Sequence, residues 1–324
     1  MTLAVLHSPA EWKARFGADA RCSAVTIGNF DGVHLGHQEI LRRVVERARR
    51  ESLRATVVTL DPHPLRVLRP NDAPALLATL DQRLAKIEVC GLDAVLVLRF
   101  DAELARLSPR EFIEQIVIGT LRTRAILVGN NFRFGHRGAG NIVQLRQFGQ
   151  EFGFEVECID PVVCRGEVVS STAIRRAVSE GRLTDALRFL GRPYSLAGAI
   201  QPGTGQGRRF VVPTLNLRTA QELLPKTGVY ATEVSVKARK YRAVTNVGMR
   251  PTFDGKGLTV ESFLFDFEEQ IASGPLEVSF WARLRDEMKF SGPDALRAQI
   301  VRDAERARRF FRLVDRSGLT RQSA

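Results

Sequence analysis

The string in this chain best suited to chemistry is Gly28-Asn29-Phe30-Asp31-Gly32-Val33-His34-Leu35-Gly36-His37. It follows an apolar, β-prone run at Ser23–Ile27 and leads into a helical pattern at Leu35–Arg50. Glycines at 28 and 32 permit a tight turn. The N-terminus of the following helix offers unpaired N–H groups at the positive end of its dipole, which makes the turn an anion site. His34 and His37 are placed to donate hydrogen bonds to phosphate oxygens, and Gly36 lets a ligand approach the backbone. The competing reading is an ordinary strand–helix turn with two surface histidines. Two of only five histidines, three residues apart at such a turn, weigh against it.

Further candidate strings follow other β-prone runs. Asp61-Pro62-His63-Pro64 follows the second run, and Val128-Gly129-Asn130-Asn131-Phe132-Arg133-Phe134-Gly135 ends the fourth. Ser170-Ser171-Thr172-Ala173-Ile174-Arg175 opens a later helix. Each has a plainer reading: a rigid proline loop, an Asn capping a turn, or a Ser/Thr helix cap. In the second half stand Gly203-Thr204-Gly205-Gln206-Gly207-Arg208, then Val212-Pro213-Thr214-Leu215-Asn216. A glycine-rich loop can wrap phosphate with its N–H groups, or it can be a flexible turn. Positions 214 and 216 point to one side of an extended chain. Glu261 lies in Leu258-Thr259-Val260-Glu261-Ser262-Phe263, where a solvent-facing strand position is the plain alternative.

The elements that must position these residues differ between the halves. In the first, β-prone runs at Ser23–Ile27, Ala55–Leu60, Ala94–Leu98, Ala125–Val128 and Glu155–Ile159 alternate with helical stretches. Those stretches are Leu35–Arg50, Leu80–Cys90, Pro109–Ile118 and Ile142–Phe152. The alternation predicts an α/β domain whose parallel sheet is covered on both faces, with ligands beyond the carboxyl ends of its strands. A short helix at Leu183–Leu190 ends at Gly191 and Pro193. From Tyr194 to about Ala282 the pattern is mostly β with turn-rich joints, which predicts a small closed barrel or sandwich. Pro293 opens a terminal helix expected over Asp294–Phe311, with a frayed tail from Ser317. The expected domains are residues 1–186 and 187–324.

Length and composition agree with two globular domains: 324 residues, 44% hydrophobic and 26% charged. No apolar run approaches the roughly 18–20 residues that span a bilayer, and the N-terminus does not have the pattern of a secretory signal. Four cysteines without metal spacing point to thiols in a reducing cytoplasm. The net charge of +12 invites anionic partners. Residues 1–190 hold 26 Lys and Arg against 22 Asp and Glu, so most of the surplus lies beyond them. Much of it is Arg297, Arg302, Arg306, Arg308, Arg309 and Arg312 on the terminal helix, a pattern usual for a solvated face. Aromatic residues total only 7% and interleave no basic block, so no nucleic-acid partner is expected.

His34-Leu35-Gly36-His37 matches the HxGH signature of nucleotidyltransferases. The longer string from Gly28 to His37, with the motifs after the other strands in the same order, resembles the bacterial bifunctional riboflavin kinase/FMN adenylyltransferases. The resemblance runs from about Ala24 to Phe311. It implies a Rossmann-like nucleotidyltransferase domain followed by a riboflavin-kinase β-barrel with a terminal helix. It also implies riboflavin, FMN, FAD and ATP as substrates or products, with Mg²⁺. For adenylyl transfer it assigns ATP to Gly28, Asn29, Phe30, His34, Gly36, His37, Ser171, Thr172 and Arg175. It assigns FMN to Asp61, Pro62, His63, Pro64 and Asn131. For the kinase it gives ATP to Gly203, Gly205, Gly207 and Arg208, Mg²⁺ to Thr214 and Asn216, and the general base to Glu261.

The chemistry so implied has two steps. The FMN phosphate, already anionic, attacks the α-phosphorus of ATP, so positioning and charge stabilisation suffice. The 5′-hydroxyl of riboflavin is a neutral alcohol and gains from a base. This chain departs from the family in its kinase half. Val211, Val212 and Leu215 replace the usual residues around the PTxN element, and Gln270-Ile271-Ala272-Ser273-Gly274 stands where Asp-Leu-Tyr-Gly is common. The expectation is an altered pocket with its ligands and base kept. Two rivals are an adenylyltransferase with a non-catalytic flavin-binding barrel and a basic RNA-binding protein.

Overall fold

A computed structural model of the chain describes residues 2–201, 214–252, 255–269 and 271–318. Packing separates two units, Met1–Ser170 and Ser171–Ala324.

The first unit begins with β1 (Ala4–Leu6), α1 (Pro9–Phe16), β2 (Ser23–Ile27) and α2 (Leu35–Arg50). β3 (Arg54–Asp61), α3 (Pro64–Leu68), α4 (Leu80–Val89) and β4 (Ala94–Arg99) follow. α5 (Pro109–Phe112) runs into a π-helical stretch at Ile113–Ile118, then β5 (Thr123–Gly129), α6 (Ile142–Phe152) and β6 (Glu155–Ile159). A small hairpin, β7 (Val163–Cys164) and β8 (Glu167–Val168), closes the unit. The six strands of the main sheet pair in the order β1-β4-β3-β2-β5-β6, every pair parallel.

Alternate residues of these strands enter two different cores, as the two-residue strand period requires. Ala24, Val57, Val95 and Leu127 pack with Leu41, Val44 and Val45 of α2 on one face. Val25, Val58, Leu96 and Ile126 pack on the other with Trp12, Phe112, Ile113 and Leu145. Both faces are therefore dry, and the strands read as continuous apolar runs. All strands point the same way, so their carboxyl ends share one edge. β3 lies on one side of β2 and β5 on the other, which makes the β2/β5 gap the topological switch point where such sheets bind ligands.

The second unit starts with α7 (Ser171–Ser179) and α8 (Leu183–Leu190). Six strands follow: β9 (Tyr194–Gln201), β10 (Thr214–Arg218), β11 (Gly228–Val236), β12 (Arg239–Thr252), β13 (Gly255–Leu264) and β14 (Pro275–Arg285). They close an antiparallel barrel in the order β10-β13-β12-β11-β14-β9. α9 (Pro293–Ser317) ends the described chain and, at 25 residues, outruns the expected Asp294–Phe311 at both ends. The expected tail lies, beyond Gly318, outside the described residues.

The barrel interior holds Tyr230, Thr245, Val260 and Phe280, all 2% exposed or less. Its polar members satisfy one another: Thr232, Thr245 and Ser262 form a hydroxyl chain at 2.7 and 2.8 Å. Ala307, Phe311 and Val314 of α9 cover Val229, Ala231, Val244 and Trp281 on the outer face, so these strands are buried on both sides. Arg285 clamps the helix by donating two hydrogen bonds to the buried Asp303, Nε at 3.0 Å and its terminal nitrogen at 2.7 Å. No helix of the described residues is long and apolar enough to cross a membrane.

Candidate functional site

The first cluster is built at the switch-point edge. His34 caps α2: its Nδ1 accepts a hydrogen bond from the His37 N–H at 3.2 Å. The two imidazoles stack with centroids 3.6 Å apart and planes 16° from parallel. A Cβ on Gly36 would lie 3.2 Å from the His34 ring, so a side chain there would crowd that ring.

The turn ahead of the histidines carries backbone strain. Gly32 sits at φ 80°, and so, less comfortably, do Phe30 at 49° and the β-branched Val33 at 40°. Such residues persist when their surroundings over-determine them. Phe30 and Val33 are buried to 2% and 1% exposure, and Phe30 packs against His37 with ring centroids 5.1 Å apart. The buried Asp31 carboxylate accepts from the N–H groups of Leu77, at 3.0 and 3.1 Å, and of Ala78, at 3.2 Å. Burial is the main cause that pushes His37 well below the usual histidine range, with smaller contributions from the charges of His34 and Arg83. His37 is thus neutral near neutral pH. Its Nδ1 is buried without a hydrogen-bond partner among the described residues.

The loops after the neighbouring strands join this cluster. Asn29 Nδ2 lies 3.2 Å from His63 Nε2, and His63 in turn caps α3 through its Nδ1. Asp61 and Pro62 are linked by a cis peptide bond. Past β5, Asn131 Oδ1 lies 3.4 Å from where a Cβ on Gly129 would stand, and Ile40 of α2 is 4.0 Å from that point. The structure therefore brings together Gly28, Asn29, Phe30, His34, Gly36 and His37 with Asp61, Pro62, His63 and Pro64, and sets Asn131 across the switch point. Ser171, Thr172 and Arg175 lie on α7, in the second unit. Ser171 and Arg175 are half-buried there and Thr172 is exposed.

Sequence reasoning overlooked Arg83 of α4. Its guanidinium is 5% exposed, donates to the Asn29 carbonyl at 2.6 Å, and pairs with Asp61 at 3.3 Å. The signal that could have found it was an arginine on the apolar stripe of a helix, at the same face as Leu80, Leu84 and Ile87.

The second cluster lies on the outer face of the barrel. The Thr214 hydroxyl donates to Glu261 Oε1 at 2.8 Å. Asn216 on β10 and Asn246 on β12 both stand directly opposite Glu261 on β13, so the three side chains line one face across three strands. A Cβ on Gly248 would lie 2.6 Å from Glu287 Oε1 and 2.8 Å from Asn246 Nδ2. Glu287 and Asn246 therefore flank the same patch, and no role was foreseen for Glu287. Leu215 turns the other way and is buried, so that departure affects barrel packing rather than this face. Gly203, Gly205, Gly207, Arg208, Val211, Val212 and Gln270 lie outside the described residues.

The donors here suit a hard cation. A hydroxyl, a carboxamide oxygen and a carboxylate are the oxygen ligands Mg²⁺ takes, the remainder of its shell coming from water and substrate phosphate. Among the described residues no group of three or more His, Cys, Asp or Glu could hold a metal by itself.

Comparison with known proteins covers both clusters. A family model described as FAD synthetase matches residues 17–173, and one described as riboflavin kinase matches residues 190–311. The bifunctional riboflavin kinase/FMN adenylyltransferase of Escherichia coli K12 is 36% identical over 292 residues, covering 90% of this chain and 93% of that protein. The Haemophilus influenzae protein of the same description is 37% identical over 289 residues, covering 89% and 94%. A solved structure described as a macrolide-efflux protein of Streptococcus pneumoniae has the same fold, with a TM-score of 0.85 and 30% identity. It spans 95% of this chain and 99% of that one. Its description concerns efflux, whereas the family models and curated relatives concern flavin chemistry over both units.

Proposed function

We propose a division of labour for this chain, which belongs to the bacterial bifunctional riboflavin kinase/FMN adenylyltransferase family: nucleotidyl transfer in residues 1–186 and phosphorylation in residues 187–324. The protein is a transferase of FAD biosynthesis. It converts riboflavin and ATP to FMN and ADP, then FMN and ATP to FAD and pyrophosphate.

In the adenylyl-transfer step an FMN phosphate oxygen bonds to the α-phosphorus of ATP while the bond to the β-phosphate oxygen breaks and pyrophosphate leaves. His34 and His37, with the turn at Gly28, Asn29, Phe30 and Gly36, hold the ATP phosphates. By family resemblance Ser171, Thr172 and Arg175 serve the same nucleotide. A neutral imidazole at His37 is well matched to phosphate, since it donates an N–H to an oxygen without the desolvation cost of a buried cation. The flavin end belongs to Asp61, Pro62, His63, Pro64 and Asn131. The observation that carries the assignment is the stacked histidine pair at the N-terminus of α2, beside the switch point.

In the kinase step Glu261 takes the proton from the 5′-hydroxyl as that oxygen bonds to the γ-phosphorus and ADP leaves. Thr214 and Asn216 would hold Mg²⁺, and Gly203, Gly205, Gly207 and Arg208 the ATP phosphates. Bound there, the ion would neutralise charge on the transferring phosphates. The 2.8 Å Thr214–Glu261 hydrogen bond keeps the carboxylate beside the proposed ligands and supports this reading over a merely flavin-binding barrel. Four free cysteines support a cytoplasmic location.

The deciding experiment supplies riboflavin, ATP and Mg²⁺ and separates the products by chromatography. FMN followed by FAD is the expected result. FAD from supplied FMN without FMN from riboflavin would leave only the first activity, and Glu261→Ala should produce that same pattern from the wild type.

A further inference from the structure

Arg83 is a buried cation that no phosphate-binding motif accounts for. It sits on α4, behind the loop whose Leu77 and Ala78 N–H groups are held by Asp31. One terminal nitrogen donates to the Asn29 carbonyl at 2.6 Å, and the other meets Asp61 Oδ1 at 3.3 Å. Its Nε is buried without a partner among the described residues. Burying a guanidinium costs several kcal/mol unless its neighbours compensate, and here the compensation is incomplete. A simple hydrophobic residue would fill that place on the apolar stripe of α4 at lower cost.

We propose that Arg83 is a positioning residue for adenylyl transfer, tying the nucleotide-binding turn at Asn29 to the flavin-binding turn at Asp61 so that the two reactants are held in register. The proposal rests on the assignment of those turns to ATP and FMN given above. The first turn contributes the Asn29 carbonyl and the second the Asp61 carboxylate with the Leu60 carbonyl at 3.4 Å, so neither can shift without breaking a bond to the same rigid fork. Asn29 also touches His63 across the same gap, which makes Arg83 and that contact two parallel ties between the turns. The buried guanidinium places a fixed positive charge near His37, a charge that the neutral His37 imidazole does not itself supply to bound phosphates.

Arg83→Met and Arg83→Lys test this on the full-length chain, with FMN adenylylation and riboflavin phosphorylation assayed in parallel. Arg83→Met should lower kcat/KM for FMN adenylylation by about 100-fold, the scale on which small misplacements cost rate. The loss should fall in kcat and in both KM values, because both reactants lose alignment. Arg83→Lys keeps the charge but not the fork and should recover part of the rate. Riboflavin phosphorylation should not change in either variant. A residue that only supports folding would lower the active fraction, leaving both KM values unmoved.

A second readout guards against unfolding of the variant. The titratable and charged groups acting on His37 are His34 of its own helix and Arg83 of α4, and Arg83 itself faces Asp31 and Asp61. Removing the Arg83 charge should therefore move the acid limb of the adenylylation profile to higher pH in Arg83→Met and leave it in place in Arg83→Lys. Unchanged kinetic constants and an unmoved acid limb in Arg83→Met would overturn the proposal. Absence of FMN adenylylation in the wild type would instead overturn the assignment it rests on.

Discussion

The two clusters reach their geometry by opposite routes. The first has its nucleotide end in one stretch of ten residues, wound at the start of α2 and fastened by buried groups from α4 and the loop before it, with Asp61 to Pro64 and Asn131 joining from the loops after β3 and β5. The second takes Thr214 and Asn216 from β10 and one residue each from β12 and β13, and Glu287 after β14 lies beside them. A contiguous turn encodes its own shape, and its strain at Phe30 and Val33 is held by packing directly beneath it. A strand surface encodes only alternation; which residues become neighbours depends on register set dozens of residues away. Anion binding at a helix terminus uses backbone N–H groups. Proton removal from an alcohol needs a particular carboxylate. The difference predicts that the first site tolerates single side-chain losses better than the second.

The sharpest way to break that contrast is at Glu261. Glu261→Ala should reduce riboflavin phosphorylation by about 1,000-fold, within the usual range for loss of a general base, with FMN adenylylation unchanged. Product chromatography from riboflavin and from FMN, run side by side, reads both. A variant that phosphorylates normally would reduce the barrel cluster to an ordinary polar surface.

His37→Ala should cost less, about 100-fold in FMN adenylylation, because His34, the helix N-terminus and α2's backbone donors remain. Riboflavin phosphorylation supplies the internal control. Equal losses at Glu261 and His37 in their respective reactions would remove the distinction between a backbone-built and a side-chain-built site.

Legibility in the sequence follows the same division. Ser23–Ile27, Leu35–Arg50, Ile142–Phe152, Glu155–Ile159 and Leu183–Leu190 appear in the structure with the bounds expected of them. Their periodicity is uninterrupted and their ends carry turn residues. β1 escaped because three residues make no pattern, and it exists only through pairing with β4. The stretch expected as one helix from Pro109 to Ile118 keeps its extent but passes from α to π at Ile113, a change of winding that side-chain periodicity does not report. Arg83 escaped for a related reason. A basic residue within a helical pattern reads as solvent-facing unless the partner carbonyl and carboxylate are known, and those are 54 and 22 residues away. Glu287 is likewise visible only once the fold sets it beside Gly248 and Asn246. The terminal arginines, by contrast, belong partly to the fold: Arg308 stacks over Phe265 at 4.5 Å and pairs with Asp266.

Asp31 sharpens the comparison through stability. Asp31→Ala leaves the buried N–H of Leu77, and that of Ala78, without their acceptor, and hydrogen bonds to a charged group are worth about 1.5–3 kcal/mol each. The first unit should lose about 3 kcal/mol and unfold at lower denaturant concentration, followed by circular dichroism together with the retained kinase activity of the second. No described position in the barrel cluster combines a catalytic neighbour with buried backbone donors that depend on it in this way.

The smallest effect comes from pH. Because His37 is held neutral in the folded first unit, the unfolded chain binds the extra proton first as pH falls past the ordinary histidine value of 6.5. In that window the unfolded state carries more protons, so stability of the first unit rises with pH and is lost progressively on acidification below about 6.5. His37→Gln should flatten that slope. Chemical-denaturation midpoints of wild type and variant between about pH 5 and 7.5 measure it. A wild-type slope that survives His37→Gln would mean that His37 carries its proton in the folded state, and a neutral imidazole would then be the wrong description of that position.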